Sequence, residues 1–275
     1  MEATQRNRCI GVFDSGLGGL TVVRRLMEQM PGEDIVYLGD SARVPYGTKS
    51  AETVRRFAMQ DAAFLMRFDP KLVVVACNTA SASALEHLQG RLEVPVIGMI
   101  RPGAAAAAAQ APSGPFGVIA TEGTIASGAY QRELAALAPG CEVLTGSCPL
   151  LVPIVEEGRG NDDPIVLHVL GDYLRLLQRK RPPVLVLGCT HYPLLTRAIA
   201  KLMGPDVALI DSGQAAALAV KRHLLDNDLA APACRTGTLR CYSTDNPDRF
   251  AAVAGRFLGR AVSGVHWVGT DELNL

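Results

Sequence analysis

The chain has no excess of either charge and no long hydrophobic run. Its 275 residues contain 27 Lys and Arg residues against 27 Asp and Glu residues, so neither a basic surface for nucleic acid nor a basic amphipathic segment for a membrane surface is expected. No uninterrupted apolar segment reaches the roughly 18 residues of a membrane-spanning helix. The first apolar run is too short for the hydrophobic region of a signal peptide. We therefore expect a globular protein that is not exported and that binds neither nucleic acid nor a membrane.

The sequence also lacks a CxxC pair, and beyond Cys189 and His191 it has no second close pair of Cys or His residues to complete a zinc site. Its seven cysteines are an odd number without a disulfide spacing, so reduced thiols in the cytoplasm are expected. None of the few lysines follows a predicted strand, which argues against the Schiff-base lysine of a pyridoxal enzyme. We therefore expect chemistry without a cofactor and without a metal.

Short apolar runs alternate with longer segments of helical periodicity. This alternation predicts an α/β fold of βαβ units, with mostly parallel sheets that helices cover on both faces. The length allows one large domain or two smaller ones. In such sheets ligands bind beyond the carboxyl ends of the strands. The predicted strands are 10–14, 35–39, 72–77, 94–99, 117–121, 184–189, 207–211 and 239–243, and the predicted helices include 50–68, 124–138, 213–225 and 247–258.

Two cysteines end two of these strands in matching local sequence. Residues 72–81 read LVVVACNTAS and residues 184–193 read VLVLGCTHYP, so Cys77 and Cys189 each stand between a buried strand and a polar turn. The field of a helix N-terminus can lower the pKa of such a thiol from about 8.5. A single cysteine of this kind is often buried and inert, but two in matching contexts favour a site with a thiol on either side.

Two opposed thiols fit a symmetric reaction better than other thiol chemistry. A disulfide oxidoreductase prefers CxxC, and a hydrolase needs one nucleophile with one base. The remaining use is proton transfer at carbon, in which one thiolate removes a proton and a thiol on the opposite face returns one. The thiols then need different partners, since a carboxylate such as Asp14 keeps a thiol protonated and an imidazolium such as His191 favours thiolate. His191 as an ordinary core or loop histidine remains the alternative.

Three further segments hold polar or flexible residues at strand or helix ends. DSGLGG at 14–19 opens a helix, and its glycines suit a nucleotide phosphate, a carboxylate or a tight turn with no ligand. In DSARVPYG at 40–47 the hydroxyl of Tyr46 can serve a ligand, although the segment taken alone is better explained as a structural loop. In VPIVEEG at 152–158, Glu156 and Glu157 are either site residues or solvated helix charges.

These motifs together resemble one known family. DSGLGG, ARVPYG, ACNTAS, VPIVEEG and GCTHYPLL, in this order along nearly the whole chain, are similar to the cofactor-independent glutamate racemases. The related aspartate racemases have a different glycine turn and lack HYP after the second cysteine, so glutamate is the favoured substrate. The resemblance implies a cytoplasmic isomerase, a homodimer, that interconverts L-glutamate and D-glutamate and supplies D-glutamate for peptidoglycan synthesis, cell wall biogenesis and cell shape. It also implies two similar α/β domains, residues 1–99 with 212–275 and residues 100–211, around a shared cleft.

The resemblance also implies roles for individual residues. Cys77 would act on D-glutamate and Cys189 on L-glutamate, with help from Asp14, Glu156 and His191. Arg101 departs from the family pattern, in which smaller or uncharged residues are usual, and is expected to affect the crossing between domains or a subunit contact. A decarboxylase or isomerase with one thiol, and a non-catalytic amino-acid-binding protein, are the alternatives. The residues expected to hold the substrate are Asp14, Ser15, Tyr46, Gly47, Asn78, Thr79, Thr121, Thr190 and His191.

Overall fold

The computed structural model describes residues 5–232, 234–262 and 264–273. In these residues the strands form two parallel sheets, of six and four strands, with the orders β10-β9-β2-β1-β3-β4 and β6-β5-β7-β8. The larger sheet contains β1 (Ile10–Asp14), β2 (Ile35–Gly39), β3 (Leu72–Val75), β4 (Val96–Ile97), β9 (Leu239–Ser243) and β10 (His266–Trp267), and the smaller contains β5 (Phe116–Ala120), β6 (Val143–Ser147), β7 (Val184–Gly188) and β8 (Ala208–Asp211).

Helices follow most strands and cover the sheets. Within the described ranges none of them is long and apolar enough to cross a membrane. The helices are α1 (Leu20–Gln29), α2 (Ala51–Met66), α3 (Asn78–Gln89), α4 (Ile100–Gln110), α5 (Glu122–Ala126), α6 (Ala129–Leu137), α7 (Leu151–Glu156), α8 (Pro164–Lys180), α9 (Thr196–Met203), α10 (Ser212–Asp226) and α11 (Pro247–Leu258).

The central strands are buried along their whole length. Every residue of β1, β2, β3, β5 and β7 is buried, which is why their sequences are continuously apolar and do not alternate. The predicted α/β class with two mostly parallel, helix-flanked sheets is confirmed.

Several predicted element bounds were wrong, for local physical reasons. The predicted helix 124–138 is two helices, because Gly128 adopts a left-handed backbone with φ of +67° between them. The strand β6 was missed because it is a half-buried edge strand that includes Thr, Gly and Ser. The strand β10 was missed because it has two residues, both exposed.

The expected division into two domains remains a prediction. The larger sheet takes its strands from residues 10–97 and 239–267, and the smaller sheet from residues 116–211. The helix α10 packs against both α1 and α4. We propose the boundaries near residues 99 and 211 because the chain passes there from one sheet to the other.

Candidate active site

Neighbouring strands of both sheets end in polar side chains at one place. Asp14 is the last residue of β1, and Cys77 lies two residues beyond β3. Thr121 follows β5 directly, and Cys189 follows β7 directly. Because β1 pairs with β3 and β5 pairs with β7 in parallel, each sheet brings its two polar ends to one edge.

Both cysteines line one small cavity. Its volume is about 30 Å³, which is room for on the order of two water molecules. Most of the residues expected to hold a substrate line it, and the apolar part of its wall comes from Val44, Pro45 and Val152. The other lining residues are Ser15, Tyr46, Gly47, Cys77, Asn78, Thr79, Thr121, Cys189, Thr190 and His191.

Cys77 is a buried, protonated thiol at the start of α3. Its Sγ accepts a hydrogen bond from the backbone amide of Ala80 at 3.4 Å and lies 3.7 Å from Oγ of Ser15. Burial and the neighbouring carboxylate of Asp14 raise the pKa of Cys77 to about 12, and the amide of Ala80 opposes this rise without reversing it. The helix N-terminus therefore does not populate the thiolate of Cys77 here.

Cys189 has the opposite kind of partner. Its Sγ lies 3.8 Å from Nδ1 of His191, and Nε2 of His191 lies 2.9 Å from Oε1 of Glu156. Burial alone lowers the pKa of His191, but the contacts with Cys189 and Glu156 outweigh it and raise that pKa to about 10. His191 is thus an imidazolium at neutral pH, placed to stabilise negative charge on the sulfur of Cys189.

The glycines of DSGLGG permit close packing across the site. A β-carbon on Gly18 would stand 2.5 Å from Cε1 of His191, and one on Gly19 would stand 2.5 Å from the β-carbon of Asp14. The hydroxyl of Thr21 donates to the backbone carbonyl of Thr190 at 2.9 Å. This loop therefore holds the segment of the second cysteine against the strand end of Asp14.

Asp14 lies beneath the cavity and does not line it. Its side chain is buried, and Oδ2 accepts a hydrogen bond from the backbone amide of Gly16 at 3.1 Å. Burial raises the pKa of Asp14 above its usual range, and the charge of His191 opposes that rise. The carboxyl group therefore lies within electrostatic reach of both halves of the site.

Three threonine hydroxyls form a closed triangle at the other end of the cavity. Oγ1 of Thr79 lies 2.8 Å from Oγ1 of Thr121 and 3.2 Å from that of Thr124, and the latter two are 2.9 Å apart. Sequence reasoning missed Thr124, although its spacing of three residues from Thr121 at the start of α5 was a usable signal. The triangle orients two hydroxyls that line the cavity.

The side chain of Asn78 is held by hydrogen bonds that cross between the sheets. Its Oδ1 accepts from the hydroxyl of Tyr130 at 2.8 Å, and its Nδ2 donates to Oγ of Ser212 at 3.3 Å. Ser212 in turn donates to the backbone carbonyl of Leu187 in β7 at 2.9 Å. Asn78 thereby ties the helix that follows Cys77 to the strand that precedes Cys189.

Tyr46 and Gly47 reach the cavity from the loop after β2. The ring of Tyr46 lines the cavity, but its hydroxyl contacts the buried carboxyls of Asp40 and Asp61. A β-carbon on Gly47 would stand 2.8 Å from the β-carbon of Thr121. A larger residue at position 47 would therefore displace the threonine triangle.

A second cavity of about 170 Å³ lies on the far side of Val44. Val44 lines both cavities, whereas Glu156 lines only this outer one. The side chain of Glu156 is 31% exposed, so the pair of His191 and Glu156 runs from the enclosed cavity to the outer one. Arg249 and Phe250 of α11 also line the outer cavity.

The remaining groups do not extend the site. In the described parts of the chain, no three His, Cys, Asp or Glu side chains gather as metal ligands would. Arg101 is exposed in the first turn of α4 and lines neither of the two cavities. The site is thus a small cavity lined by two thiols, one near a carboxylate and the other near an imidazolium.

Known proteins share this chain's sequence along almost its whole length. Residues 10–220 match the family described as Asp/Glu/Hydantoin racemase. A glutamate racemase of Geobacter metallireducens is 47% identical over 264 residues, which cover 96% of this chain and 97% of that protein.

Solved structures share the fold. The crystal structure of a glutamate racemase isoform from Bacillus anthracis has a TM-score of 0.92 at 40% identity and covers 96% of this chain and 98% of its own. That of glutamate racemase from Francisella tularensis in complex with D-glutamate has a TM-score of 0.89 at 40% identity, with 97% and 99% covered.

Proposed function

The chain belongs to the Asp/Glu/Hydantoin racemase family, and we propose that it is an isomerase that interconverts L-glutamate and D-glutamate by proton transfer between two thiols. The observation that carries this mechanism is the unlike pairing of the two cysteines that line one cavity. Cys77 has the carboxylate of Asp14 as its neighbour, and Cys189 has the imidazolium of His191.

The contacts of the two cysteines suit the reaction from L-glutamate. Cys189, whose Sγ lies 3.8 Å from Nδ1 of the His191 imidazolium, removes the proton from Cα on one face of the substrate. Cys77, which is protonated because of burial and Asp14, gives its proton to Cα on the opposite face. The Cα–H bond breaks toward one sulfur as a new one forms from the other, so the configuration inverts and no electrons are gained or lost.

The reaction from D-glutamate uses the same groups with exchanged roles. Cys77 is then the base and Cys189 the acid, and the thiolate of Cys77 must form in spite of a pKa of about 12. The ammonium group of a bound substrate is a cation near Asp14 and Cys77, and a nearby cation favours a thiolate. Asp14, which lies beneath the cavity, thus acts on the substrate ammonium through its charge and keeps Cys77 protonated when no substrate is bound.

The polar lining supports recognition of the two carboxylates of glutamate. The hydroxyls of Thr79 and Thr121 lie at one end of the cavity, and Thr190 lies beside His191 at the other. The first backbone amides of α3 offer further donors, because a helix N-terminus favours an anion. Ser15, Tyr46, Gly47 and Asn78 complete the wall.

The test is hydrogen exchange at Cα in heavy water. Purified protein is incubated with L-glutamate without any added cofactor, and deuterium incorporation and optical rotation are followed together. We expect deuterium at Cα with loss of rotation, and no comparable reaction with L-aspartate. Glutamate that binds without exchange of its α-hydrogen would instead indicate a binding protein.

The assembly and the cellular place of the protein are also proposals. Leu218 and Leu225 are exposed and lie two turns apart on one face of α10, which supports a homodimer that covers them; light scattering measures the assembly.

The seven cysteines are free, and both site cysteines must stay reduced for the reaction, which supports a cytoplasmic location and supply of D-glutamate to peptidoglycan synthesis. Cell fractionation with the exchange assay tests the location.

A further inference from the structure

A buried cluster of four polar side chains lies behind the cavity wall and has no part in the proton transfer. It consists of Asp40, Arg43, Tyr46 and Asp61, which we call the carboxyl cluster. Both carboxyl side chains are fully buried, and Tyr46 is 1% exposed. Charged groups are rarely buried so completely unless each is paired, so the contacts within the cluster show what it holds in place.

Arg43 and Tyr46 each contact both carboxyl groups. Nε of Arg43 lies 2.7 Å from Oδ2 of Asp40, and its Nη2 lies 2.9 Å from Oδ1 of Asp61. The hydroxyl of Tyr46 contacts Oδ2 of Asp40 and lies 2.9 Å from Oδ2 of Asp61. Thr244 donates to the other oxygen of Asp40 at 3.0 Å. Every carboxyl oxygen of the cluster is therefore in contact with a polar group.

The number of protons requires one of the carboxyls to be neutral. Tyr46 has one hydroxyl proton and faces two carboxyl oxygens, so both contacts are hydrogen bonds only if one carboxyl supplies a proton of its own. Burial and the charge of Asp40 raise the pKa of Asp61 well above its usual range, although Arg43 and Tyr46 oppose this. With the hydroxyl proton of Tyr46 directed at Asp40, a proton on Asp61 completes the second contact, so that Asp61 is the neutral carboxyl and Asp40 pairs with Arg43.

The cluster is attached to the cavity through the loop of residues 44–47. Tyr46 belongs to both, because its hydroxyl lies in the cluster and its ring lines the cavity. On either side of it, Val44 packs near Gly16 and Gly47 packs against Thr121. A shift of Tyr46 thus moves the wall that separates Cys77 from the outer cavity and disturbs Thr121.

We propose that Asp61 is a positioning residue, which through Tyr46 and Arg43 holds the loop of residues 44–47 in the conformation that closes the cavity beside Cys77. Asp61 does not line the cavity, and it acts as a neutral hydrogen-bond donor. The proposal rests on the proposed function for its kinetic consequences, but its effect on access to Cys77 is independent of any reaction.

Two substitutions at position 61 separate a hydrogen-bonding role from a charge. In Asp61→Asn the amide oxygen can accept from Arg43 while the amide nitrogen donates to Tyr46, so the neutral carboxyl is imitated. Asp61→Leu has a similar volume and can do neither. Tyr46→Phe keeps the ring and removes the hydroxyl. Glu52→Gln, at an exposed position of the same helix, is the control.

Three quantities are measured for each variant: KM and kcat for L-glutamate, and the rate at which iodoacetamide alkylates Cys77, followed by mass spectrometry. We expect Asp61→Leu and Tyr46→Phe to raise KM about tenfold and to speed alkylation about tenfold, with a smaller change in kcat, because a buried charge-linked hydrogen bond is lost. Asp61→Asn and Glu52→Gln should stay near the wild type. The double variant Tyr46→Phe with Asp61→Leu should be no worse than the poorer single variant.

Several outcomes overturn the proposal. Asp61→Asn as impaired as Asp61→Leu would show that the charge of Asp61 is what matters, and additive effects in the double variant would show that Tyr46 and Asp61 act separately. If circular dichroism shows that Asp61→Leu does not fold, Tyr46→Phe decides, and wild-type KM and alkylation in that variant reject the proposal. A wild-type protein without racemase activity rejects the proposed function, and the alkylation rates alone then decide the role of Asp61.

Discussion

Gly18 and His191 pack so closely that a β-carbon on the glycine would stand 2.5 Å from Cε1 of the imidazole. The two residues come from opposite halves of the site, the glycine after β1 and the histidine after β7. The position of the imidazole relative to Cys189 therefore depends on residue 18 being a glycine.

The first prediction is that Gly18→Ala inactivates the enzyme while the fold is retained. The new methyl group displaces His191 and Thr190, and with them the charge beside Cys189, so kcat should fall by about 100-fold or more. Steady-state kinetics and thermal unfolding measure the two effects. Gly171→Ala is the matched control, since a β-carbon there meets nothing within 4 Å and alanine stabilises a helix interior by about 0.5–1 kcal/mol. Full activity of Gly18→Ala would contradict the close packing of Gly18 against His191.

The second prediction concerns the separate roles of the two thiols. Cys77→Ser and Cys189→Ser should each lower racemisation by roughly 10²–10⁴-fold, the usual contribution of an acid or base. Since the enantiomers have equal free energies, kcat/KM must fall equally in both directions. The difference lies in exchange: Cys189→Ser should still exchange the α-hydrogen of D-glutamate, and Cys77→Ser that of L-glutamate. Proton NMR in heavy water with chiral chromatography measures this. The reverse pattern would show that Cys77 acts on L-glutamate and Cys189 on D-glutamate.

The third prediction is a pH dependence that Glu156 sets. The pKa of His191 is raised to about 10, so the stability that its charge provides is fully present below its unfolded pKa near 6.5 and is lost as the pH rises through about 10. Glu156→Gln removes one cause of the rise, so the alkaline decline of kcat/KM should move to lower pH. Glu157→Gln, whose partner is the exposed Arg159, should leave the pH profile unchanged. An unmoved profile in Glu156→Gln would show that Glu156 does not support the imidazolium.

The fourth prediction is that Thr124 affects binding although it does not line the cavity. Thr124→Val removes the buried hydroxyl that bonds to Thr79 and Thr121, at a cost of about 1 kcal/mol. KM should rise about fivefold with little change in kcat. Thr124→Ser keeps the hydroxyl and should behave like the wild type. Equal kinetics in the valine and serine variants would show that the hydroxyl of Thr124 has no effect on substrate binding.

The fifth prediction separates stability from activity. Nζ of Lys71 lies 2.5 Å from Oε2 of Glu33, and it donates to the backbone carbonyls of Arg6 and Leu229 at 2.8 Å. Lys71→Met leaves the buried carboxylate unpaired and should lower the free energy of unfolding by about 3–5 kcal/mol, whereas Lys71→Met with Glu33→Leu should recover part of it. Urea unfolding measures both. A changed KM in a folded Lys71→Met variant would contradict a purely structural role.

The sequence predicted those parts of the site that lie at strand ends. Cys77, Cys189, Asp14 and Thr121 follow buried apolar runs, and parallel sheets bring such positions together whatever their separation along the chain. The contact between His191 and Cys189 is local, because the two residues are two positions apart in the sequence. These features depend on where a residue lies relative to the end of a strand, and that position can be predicted from a single sequence.

Other features depend on contacts that no local pattern records. The bonds of Asn78 to Tyr130 and Ser212 join distant segments, and the pairing of Tyr46 with Asp61 links a loop to the interior of a helix. The effect of a carboxylate such as Asp14 on a thiol was predicted, but burial, the largest cause of the raised pKa of Cys77, depends on the whole fold and was not. Sequence reasoning assigned no role to Asp61.

The small size of the cavity and the unlike thiols together determine the state in which each turnover leaves the site. The cavity has a volume of about 30 Å³, which is room for on the order of two water molecules, so its wall must move before glutamate can enter or leave. A turnover of L-glutamate ends with the proton on Cys189 and none on Cys77. Before the next L-glutamate can react, a proton must return to Cys77 and another must leave Cys189, whereas D-glutamate meets the protonation states that it needs.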